Sequence, residues 1–432
     1  MRDPNATSRT PRLEQAAILV GGLGSRLGAL TAALPKPLMP VGDRPFLAWL
    51  LRELQRFGVR RALLLAGYRA DDLRASLPAL LRTLPRPMQV AIAEEPAGSG
   101  TGGALWHARG LLEPRFLLCN GDSLFDSNLA GLLADAARDP ADVAMRLWLR
   151  RTPEAGRAGT VTLDGDRVQA FHQTAFHQTA FHQQALPGPA VINAGVYVAA
   201  RDALLPTLLP TCSLEGDILP ALSAAGTLRG TSAEGWFIDI GVPADLARAQ
   251  ATLPARLHRR ALILDRDGVL NVDHGHVGSR DRFDWMPGAL AAVAAASAQG
   301  WHVFIATNQS GIARGYYTEA DLVALQGWME DAALAAGGTF DDWRFCPNHP
   351  EAPLAAYRRA DDWRKPGPGM LFDLARAWGL DPSRCVMVGD HDSDRAAAAA
   401  AGMEGHVFTG GDGTDLHGFV TALLAQDPVS VS

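Results

Sequence analysis

The chain of 432 residues has only four cysteines, and no two of them form a Cys-x-x-Cys pair. So few, scattered cysteines argue against a disulfide-stapled secreted protein and favour a reducing, cytoplasmic setting. No apolar run reaches the ~20 residues that span a bilayer, and the polar start of the chain lacks the apolar stretch of a secretory signal. The net charge of −6 removes the electrostatic case for nucleic acid or an anionic membrane as a partner.

Hydrophobic residues make up 47% of the chain and charged residues 20%, which are globular proportions, and the length suits two domains. Short apolar runs alternate with amphipathic stretches, a pattern typical of an α/β fold with parallel strands. The alternation restarts after Leu253–Arg260, a short stretch that contains Pro254 and several basic residues. We therefore predict a mobile arm over residues 1–14, one domain over 15–254 and a second over 255–432.

The same pattern predicts the individual elements. Predicted strands are Ala16–Val20, Ala62–Ala66, Phe116–Cys119, Ala141–Leu149, Ala261–Leu264, Val303–Ala306 and Val386–Val388, and predicted helices are Pro45–Phe57, Gly102–Leu112 and Pro287–Gln299. The last helix has a proline near its start and Gly300 just past its end, where these residues are favoured.

A five-residue segment, Phe171–Ala175, recurs at Phe176–Ala180 and, with one change, at Phe181–Ala185. Its three evenly spaced histidines suggest a metal site. However, a five-residue step rotates ~140° around a helix and alternates faces on a strand, so neither element aligns the rings. A locally duplicated surface segment is the favoured interpretation.

The first pattern that indicates chemistry is a glycine-rich turn, Gly21, Gly22 and Gly24, directly after a predicted strand. Glycines there let backbone N–H groups approach phosphate oxygens, although any tight strand-to-helix turn uses them. Arg26 adds a bidentate phosphate partner, and Lys36 adds a compact charge between two prolines. The turn lacks both the third glycine of a dinucleotide fingerprint and the Gly-Lys-Ser/Thr of a P-loop.

With the segments that follow, residues 16–253 resemble the sugar-1-phosphate nucleotidyltransferase family. The matching segments are Glu95–Ala104, Asn120–Asp122, Asn193–Tyr197, Ser213–Asp217 and Phe237–Asp245. The resemblance implies base and ribose contacts from Glu95, Gly100 and Thr101, and sugar contacts from Asn193 and Glu215. It also implies magnesium held by Asp122 and Asp239, with the alternative that these are turn-capping aspartates.

The implied reaction is attack of a sugar-1-phosphate oxygen on the α-phosphorus of a nucleoside triphosphate, with Arg26 and Lys36 as catalytic cations. One departure is that the Phe-x-Glu-Lys usual in the family is replaced by Phe171-His172-Gln173-Thr174 and its repeats. The segment Pro35–Val41 most resembles the heptose-1-phosphate guanylyltransferase branch, which implies GTP as the favoured nucleotide.

A second pattern begins where Asp265 and Asp267 stand two residues apart at the end of a buried-type strand. Residues two apart on an extended chain face the same side, so both carboxylates can reach one substrate. One can act as nucleophile and the other as general acid and base. A lone Asp-x-Asp is as often a turn as a site, and two close carboxylates call for a cation and positive side chains nearby.

Downstream segments strengthen this second pattern. They are Thr307, Asn308, Gln309 and Ser310 after one strand, Arg364 and Lys365 in a loop, and Asp390 after another strand. This order resembles the haloacid-dehalogenase-like phosphatases from about residue 260 onward, and Val272–Val277 with Gly311–Gly315 resembles the heptose-1,7-bisphosphate 7-phosphatase branch.

That resemblance implies Asp265 as nucleophile, Asp267 as acid and base, and magnesium at Asp265, Asp267 (through its backbone) and Asp390. Thr307 and Lys365 would stabilise the transferring phosphoryl group. Substrate contacts would come from Asn308, Gln309, Ser310 and Arg364, and from the loop of Asp273, His274, Gly275 and His276.

Relatives in this branch commonly carry a structural zinc loop, Cys-x-His and then Cys-x-Cys directly before Arg-Lys-Pro. Here Cys346 is present, but Asn348 replaces the ligand histidine. Asp361 and Trp363 replace the later pair of cysteines. Four-coordinate zinc needs four ligands, so we expect no structural zinc. We expect the loop to be held by packing of Trp343, Tyr357 and Trp363.

Together the two resemblances imply an N-terminal Rossmann-like (GT-A-like) nucleotidyltransferase domain and a C-terminal haloacid-dehalogenase-like Rossmannoid domain. The implied function is a bifunctional enzyme of nucleotide-activated heptose synthesis, with Mg²⁺ in both domains and heptose phosphates and GTP as partners. One alternative keeps both chemistries on another sugar, a hexose or N-acetylmuramate 1-phosphate. Another makes one domain a non-catalytic regulatory module. The sequence leaves the oligomeric state open.

Overall fold

The computed structural model describes residues 12–22, 25–28, 30–31, 34–153, 159–172, 190–410 and 413–426. The chain divides into two compact units, Met1–Leu253 and Pro254–Ser432. Among the described residues, no helix combines the length and the apolar character needed to cross a bilayer.

The first unit is built on a nine-stranded mixed sheet, with two short ribbons beside it. The strands are β1 (Gln15–Leu19), β2 (Pro40–Val41), β3 (Arg44–Pro45), β4 (Arg61–Ala66), β5 (Gln89–Glu94), β6 (Arg115–Asn120), β7 (Ser123–Asp126), β8 (Met145–Thr152), β9 (Thr160–Asp164), β10 (Arg167–His172), β11 (Ala190–Ala200), β12 (Leu228–Ala233) and β13 (Trp236–Asp239). The order in the large sheet is β5-β4-β1-β6-β11-β8-β12-β10-β9, and the ribbons are β7 with β13 and β2 with β3.

Helices connect and cover these strands. They are α1 (Phe46–Arg56), α2 (Ala70–Leu81), α3 (Gly100–His107), α4 (Ala130–Ala137), α5 (Arg201–Leu204), α6 (Leu219–Ala225) and α7 (Pro243–Leu257). A π-helical turn, Leu214–Ile218, precedes α6. Because β5, β4, β1 and β6 are parallel, their carboxyl ends share one edge of the sheet, and Gly21, Glu95 and Asp122 all follow those ends.

The second unit is a five-stranded parallel sheet in the order β16-β15-β14-β17-β18. Its strands are β14 (Ala261–Leu264), β15 (His302–Asn308), β16 (Asp342–Cys346), β17 (Cys385–Gly389) and β18 (Glu404–Val407). Its helices are α8 (Ala289–Ala298), α9 (Ser310–Ala313), α10 (Glu319–Ala335), α11 (Gly369–Trp378), α12 (Asp392–Ala400) and α13 (Leu416–Ala425).

Strand β14 explains why this sheet is buried on both faces. Leu262 and Leu264 belong to one hydrophobic cluster, whereas Ala261 and Ile263 belong to the cluster on the other side. A continuous apolar run with this alternation is what a central parallel strand requires. Asp265, the next residue, therefore emerges from a rigid, fully buried strand at the carboxyl edge of the sheet.

The predicted α/β class is confirmed, and the predicted strands and helices correspond to observed elements, with corrections at their ends. The strand expected from Ala141 begins at Met145, and the helix expected to reach Leu112 ends at His107. Part of the expected linker is helical, because α7 continues to Leu257. Glu14 is not part of a mobile arm, since its carbonyl accepts hydrogen bonds from the amides of Arg60 and Arg61. Residues 1–11 and 173–189, and with them most of the repeat, lie outside the described residues.

Candidate active sites

The glycine-rich turn after β1 is packed against the start of the loop that follows β5. A Cβ atom on Gly21 would overlap the carboxylate of Glu95 and lie 2.8 Å from the amide nitrogen of Gly67. Gly22, by contrast, has nothing within 4 Å of its Cβ position. Glycine is therefore required at position 21 for close packing, and position 22 faces open space. Gly24 lies outside the described residues.

The structure brings Lys36, Asp122 and Asp239 together. The Lys36 ammonium forms an ion pair with Asp122 and lies 3.8 Å from Asp239 Oδ1. The ribbon of β7 and β13 is responsible, because Asp239 pairs with Ser123, the residue after Asp122. The guanidinium of Arg26 reaches the same place, since a Cβ on Gly241 would meet Asp239 Oδ1 at 2.7 Å, Lys36 Nζ at 3.1 Å and Arg26 Nη2 at 3.5 Å.

The two carboxylates fit the magnesium that the family implies. Burial raises the pKa of Asp239, and the negative charge of Asp122 raises it further. The carboxylates already converge on one cation, the Lys36 ammonium, which is 7% exposed. Oxygen ligands of this kind suit Mg²⁺. Asp122 and Asp239 would hold the ion, which supplies Lewis-acid stabilisation of phosphate charge when bound.

Glu95 lines a separate part of this site. Burial raises the pKa of Glu95 to about 7. Its Oε2 atom is buried without a hydrogen-bond partner, while Oε1 faces Gly21. An unsatisfied buried carboxylate oxygen is uncommon in native proteins and calls for a partner. Glu95 therefore presents an acceptor to any ligand that sits over the glycine-rich turn.

The residues predicted to contact ribose and sugar are held by two separate sets of hydrogen bonds. Thr101 Oγ1 donates to Glu215 Oε2 at 3.3 Å and accepts from the Leu214 amide at 2.7 Å. Burial raises the pKa of Glu215. Asn193 Nδ2 donates to the hydroxyl of buried Tyr197 at 2.6 Å.

Gly100 explains why this group can form. It has a φ of +74°, and a Cβ there would lie 3.1 Å from the carbonyl carbon of Cys212. Only glycine allows this approach, through which α3 packs beside the π-helical turn that carries Glu215.

The second site is centred on Lys365 and Asp265. Lys365 Nζ lies 2.8 Å from Asp265 Oδ2 and 2.5 Å from Asp394 Oδ1, and it donates to the carbonyl of Ala306 at 2.9 Å. Burial lowers the pKa of the Lys365 ammonium, but the two carboxylates outweigh burial and raise it above its ordinary value. Burial raises the pKa of Asp265 to about 6, and Lys365 opposes that rise.

Three carboxylates in this site fit a divalent cation. Ligand atoms of Asp265, Asp390 and Asp394 all lie within 4.8 Å of one another. Gly268, with a φ of +83°, makes room for Asp390, whose carboxylate a Cβ would overlap. Burial raises the pKa of Asp390, and the negative charge of the nearby Asp394 also raises it. Sequence reasoning did not assign Asp394, although it stands four residues after Asp390 at the start of α12.

The Asp267 carboxylate is fixed by neighbours rather than by this cluster. Arg266 Nη2 donates to both of its oxygens, at 2.8 and 2.9 Å. Gln309 Nε2 donates to Oδ2 at 2.8 Å, and Asn271 Nδ2 to Oδ1 at 3.0 Å. Gln309 also donates to Thr307 Oγ1 at 2.9 Å. The predicted acid and base is thus held beside the predicted phosphate-binding threonine.

Asn308 orients the lysine of this site. Its Oδ1 accepts from the Lys365 amide at 3.1 Å, and its Nδ2 donates to the Lys365 carbonyl at 3.1 Å. This reciprocal pair joins the end of β15 to the loop that carries Lys365. Ser310 begins helix α9, directly after Gln309.

The predicted substrate loop, 273–276, is a tight turn whose backbone carbonyls accept hydrogen bonds from Arg282. Asp273 Oδ1 accepts from the Gly275 amide at 2.8 Å, and His274 Nε2 lies 2.8 Å from Asp284 Oδ2. Arg282 donates to the carbonyls of residues 274, 275 and 276. His276 adopts a φ of +52° and packs on Tyr316 at 5.1 Å between ring centroids.

Arg314, which was also not assigned from the sequence, lies close enough to His276 and Arg364 for its charge to affect both. Burial lowers the pKa of His276, and the positive charge of Arg314 lowers it further. Burial and the charge of Arg314 likewise lower the pKa of Arg364. Arg314 is the one charged residue of the branch-specific segment 311–315, and that could have indicated a contact with a phosphate.

The loop of residues 346–364 shows the expected aromatic packing, with Trp363 against a buried hydrophobic cluster, and it is also held by polar contacts. Asn348 Nδ2 donates to Asp361 Oδ2 at 2.5 Å, and Asp361 Oδ1 accepts from the Trp363 amide at 2.9 Å. Tyr357 contributes through its hydroxyl, which donates to Glu319 at 3.1 Å. Hydrogen bonding rather than packing alone therefore determines the conformation of this loop.

Comparisons with known proteins match the N-terminal and the C-terminal part of the chain separately. A profile described as nucleotidyl transferase matches residues 15–256, more than half of the chain, and one described as HAD-hydrolase-like matches residues 362–418. The chain is 49% identical to the D-glycero-beta-D-manno-heptose-1,7-bisphosphate 7-phosphatase of Rhodopseudomonas palustris over 168 residues, 39% of this chain and 92% of that protein.

Two further proteins are similar. The D-glycero-alpha-D-manno-heptose-1,7-bisphosphate 7-phosphatase of Burkholderia mallei is 40% identical over 34% of this chain and 78% of its own length. The crystal structure of HddC from Yersinia pseudotuberculosis shares 26% identity, covers 56% of this chain and 99% of its own, and has a TM-score of 0.47.

Proposed function

The chain belongs to the nucleotidyl transferase family and, in its C-terminal part, to the heptose-1,7-bisphosphate 7-phosphatases, and on this basis we propose that it carries out two steps of nucleotide-activated heptose synthesis. The C-terminal unit removes the 7-phosphate of D-glycero-D-manno-heptose 1,7-bisphosphate. The N-terminal unit then joins the resulting heptose 1-phosphate to GMP from GTP and releases pyrophosphate.

The observation that carries the proposal is that each unit contains its own buried lysine placed between carboxylates. Lys36 contacts two carboxylates in the N-terminal unit, and Lys365 contacts two in the C-terminal unit. Two separate sites of this kind support two reactions. The class of reaction differs, because the C-terminal unit places Asp265 directly after β14 as a nucleophile and Asp267, two residues later, as acid and base.

In the N-terminal unit, an oxygen of heptose 1-phosphate attacks the α-phosphorus of GTP, and the bond to the bridging oxygen of pyrophosphate breaks. Negative charge grows on the oxygens around phosphorus. Lys36, which is buried, and Arg26, which is exposed, neutralise this charge, and the contribution of the buried lysine is strengthened by the exclusion of water. Glu215, Thr101 and Asn193 position the sugar and ribose hydroxyls.

In the C-terminal unit, an oxygen of Asp265 attacks the phosphorus at C7 and the bond from phosphorus to the sugar oxygen breaks. Asp267 gives its proton to that oxygen. Asp267 then takes a proton from water, which attacks the aspartyl phosphate and releases inorganic phosphate and free Asp265. Lys365 and Thr307 stabilise the phosphoryl oxygens, and a pKa of about 6 leaves Asp265 mostly ionised at neutral pH.

Glu95 supports GTP as the nucleotide. The N1–H and N2–H₂ groups of guanine are adjacent donors, and an ionised carboxylate accepts from both. Uracil and thymine present one donor between two carbonyl oxygens, which a carboxylate repels. The buried oxygen of Glu95 without a partner is the acceptor that guanine would satisfy.

We place the enzyme in the cytoplasm, where its nucleotide and phosphosugar substrates are made. All four cysteines are unpaired and buried, which suits a reducing compartment.

The direct test is incubation of the purified protein with Mg²⁺, each anomer of heptose 1,7-bisphosphate and each of the four NTPs, followed by chromatography of the products. We expect phosphate release without NTP, and nucleotide-heptose with GTP above all others. A parallel incubation supplies heptose, hexose and N-acetylmuramate 1-phosphates with GTP, and faster pyrophosphate release with either of the last two would favour the alternative sugar over heptose.

Variants Asp122→Ala and Asp239→Ala test the N-terminal assignment. Loss of one carboxylate of the predicted metal pair should lower pyrophosphate release roughly a hundredfold. Phosphate release from the bisphosphate, measured in the same samples, is the internal control and should be unchanged. Near-normal pyrophosphate release by both variants would refute the assignment.

A further inference from the structure

The loop of residues 346–364 corresponds to the segment that supplies four zinc ligands in the relatives' pattern. The side chains at these positions in this chain do not fit zinc. Asn348 donates through its amide nitrogen, and both oxygens of Asp361 already accept hydrogen bonds. His349 Nδ1 accepts from the Glu351 amide at 3.1 Å. Cys346 is a buried thiol whose pKa is raised by burial, so it resists forming the thiolate that binds metal.

Both residues that contact each other across this loop also contact Arg364. The amide of Arg364 donates to the Asp361 carbonyl at 3.0 Å. Its Nη1 atom donates to the Asn348 carbonyl at 3.5 Å. The contact between Asn348 and Asp361 therefore sets where the backbone and the guanidinium of Arg364 lie relative to Lys365, the next residue, in the active site.

We propose that the hydrogen bond between Asn348 and Asp361, here called the polar clasp, performs without metal the task of a zinc ion in this loop and positions Arg364 for the substrate. Asn348 and Asp361 are positioning residues, because they act through Arg364. This inference rests on the proposed phosphatase function, whose substrate carries a second phosphate.

Arg364 suits a second phosphate because its charge is not neutralised within the protein. Across residues 190–410 and 413–426, no carboxylate forms an ion pair with Arg364, and the nearby Arg314 adds positive charge. A dianionic phosphate is the natural partner of such a pair. Displacement of Arg364 should thus weaken binding of a bisphosphate and leave a phosphate ester without a second phosphate unaffected.

The test breaks the clasp with one substitution and restores it, with donor and acceptor exchanged, by a second. Asn348→Asp places a carboxylate against Asp361 and breaks the clasp. The double variant Asn348→Asp with Asp361→Asn reverses donor and acceptor and keeps the acceptor for the Trp363 amide. Arg359→Ala is the matched control, because Arg359 is 63% exposed and lies 3.8 Å from the same carboxylate.

We expect Asn348→Asp to raise KM for heptose 1,7-bisphosphate about tenfold with little change in kcat, and not to alter kcat/KM for p-nitrophenyl phosphate. The double variant should recover most of the loss, and Arg359→Ala should behave like the unaltered enzyme. An unchanged KM in Asn348→Asp, or no recovery in the double variant, would overturn the proposal. So would about one zinc ion per chain in the purified protein.

Hydrogen exchange separates this inference from the proposed function. The Trp363 and Arg364 amides should exchange slowly in the unaltered protein and the double variant, and quickly in Asn348→Asp. If the protein fails to hydrolyse either heptose bisphosphate but shows this exchange pattern, the proposed function fails and the clasp stands. Equal exchange in all variants would refute the clasp itself.

Discussion

Two buried lysines have corresponding roles at residue scale, each between carboxylates. Lys36 is 7% exposed beside Asp122 and Asp239, and Lys365 is 4% exposed beside Asp265 and Asp394. A buried ammonium is stable only with such partners. The carboxylates offset the cost of burying each ammonium, so that both lysines can act on phosphate oxygens through little intervening water.

Replacing Asp265 by asparagine should separate the two activities. Asp265→Asn keeps the size of the side chain and removes its nucleophilic charge, so phosphate release should fall at least a hundredfold. Nucleotidyl transfer from supplied heptose 1-phosphate should persist, as measured by pyrophosphate release. Loss of both activities together would contradict two independent sites.

Glu95 should make GTP use sensitive to pH. Because burial raises its pKa to about 7, Glu95 becomes protonated as the pH falls below 7 and then loses one acceptor oxygen. Guanine binding favours the ionised form, so KM for GTP should rise by up to about tenfold per pH unit below 7.

Glu95→Gln is the control, because its amide does not titrate. GTP protonates equally for both proteins, so the difference between their pH profiles isolates Glu95. Identical profiles would show that Glu95 does not contact the base.

At the scale of elements, loops at strand ends bring the charged residues together. The ribbon of β7 and β13 places Asp239 beside Asp122, and the end of β17 places Asp390 near Asp265. The carboxyl ends of parallel strands point to one edge of a sheet, so residues far apart in sequence meet there. Left-handed glycines make the closest of these approaches possible.

Gly268→Ala tests one such approach. The new methyl group would overlap the Asp390 carboxylate, and the backbone has a φ of +83°. Phosphatase activity should fall at least tenfold, measured as kcat/KM. Gly300→Ala is the matched control, with a φ of +78° and nothing within 4 Å, so it bears the ~1 kcal/mol of backbone strain alone. Equal losses in both variants would mean that strain, not the contact, matters.

At the scale of the whole molecule, two compact units follow each other in one chain, and each has its own hydrophobic clusters and its own site. Helix α7 ends at Leu257 and β14 begins at Ala261, so only three residues separate these elements. Tethering raises the effective concentration of one site near the other. A small metabolite nevertheless diffuses away faster than most enzymes turn over.

Separated halves should therefore work together. Residues 1–258 and 259–432, expressed apart so that α7 stays whole, should each fold and jointly make nucleotide-heptose at a rate similar to that of the intact chain. The measurement is product formation from the bisphosphate at equal concentrations. A large loss with both halves individually active would indicate direct transfer of heptose 1-phosphate between sites.

The fold class, seven of the eighteen described strands and the two groups of candidate site residues could be predicted from the sequence because they depend on local patterns. A short continuous apolar run predicted β14. The Asp-x-Asp that follows it identified Asp265 without knowledge of the residues that contact Asp265 in the fold. Motifs that serve chemistry keep their residue types and spacing. The sequence therefore determined which side chains are present and which reactions they suit.

Only the tertiary structure decided which distant residues meet. Asp394 joins Asp265 across two strands, Glu95 packs on Gly21 from another loop, and Asn348 bonds Asp361 thirteen residues away. None of these contacts has a local signature, because side-chain distances depend on how the strands are ordered and paired. The loop expected to be held by aromatic packing shows this most clearly, since the amide and the carboxylate that replace two zinc ligands become partners only when the folded chain brings them together.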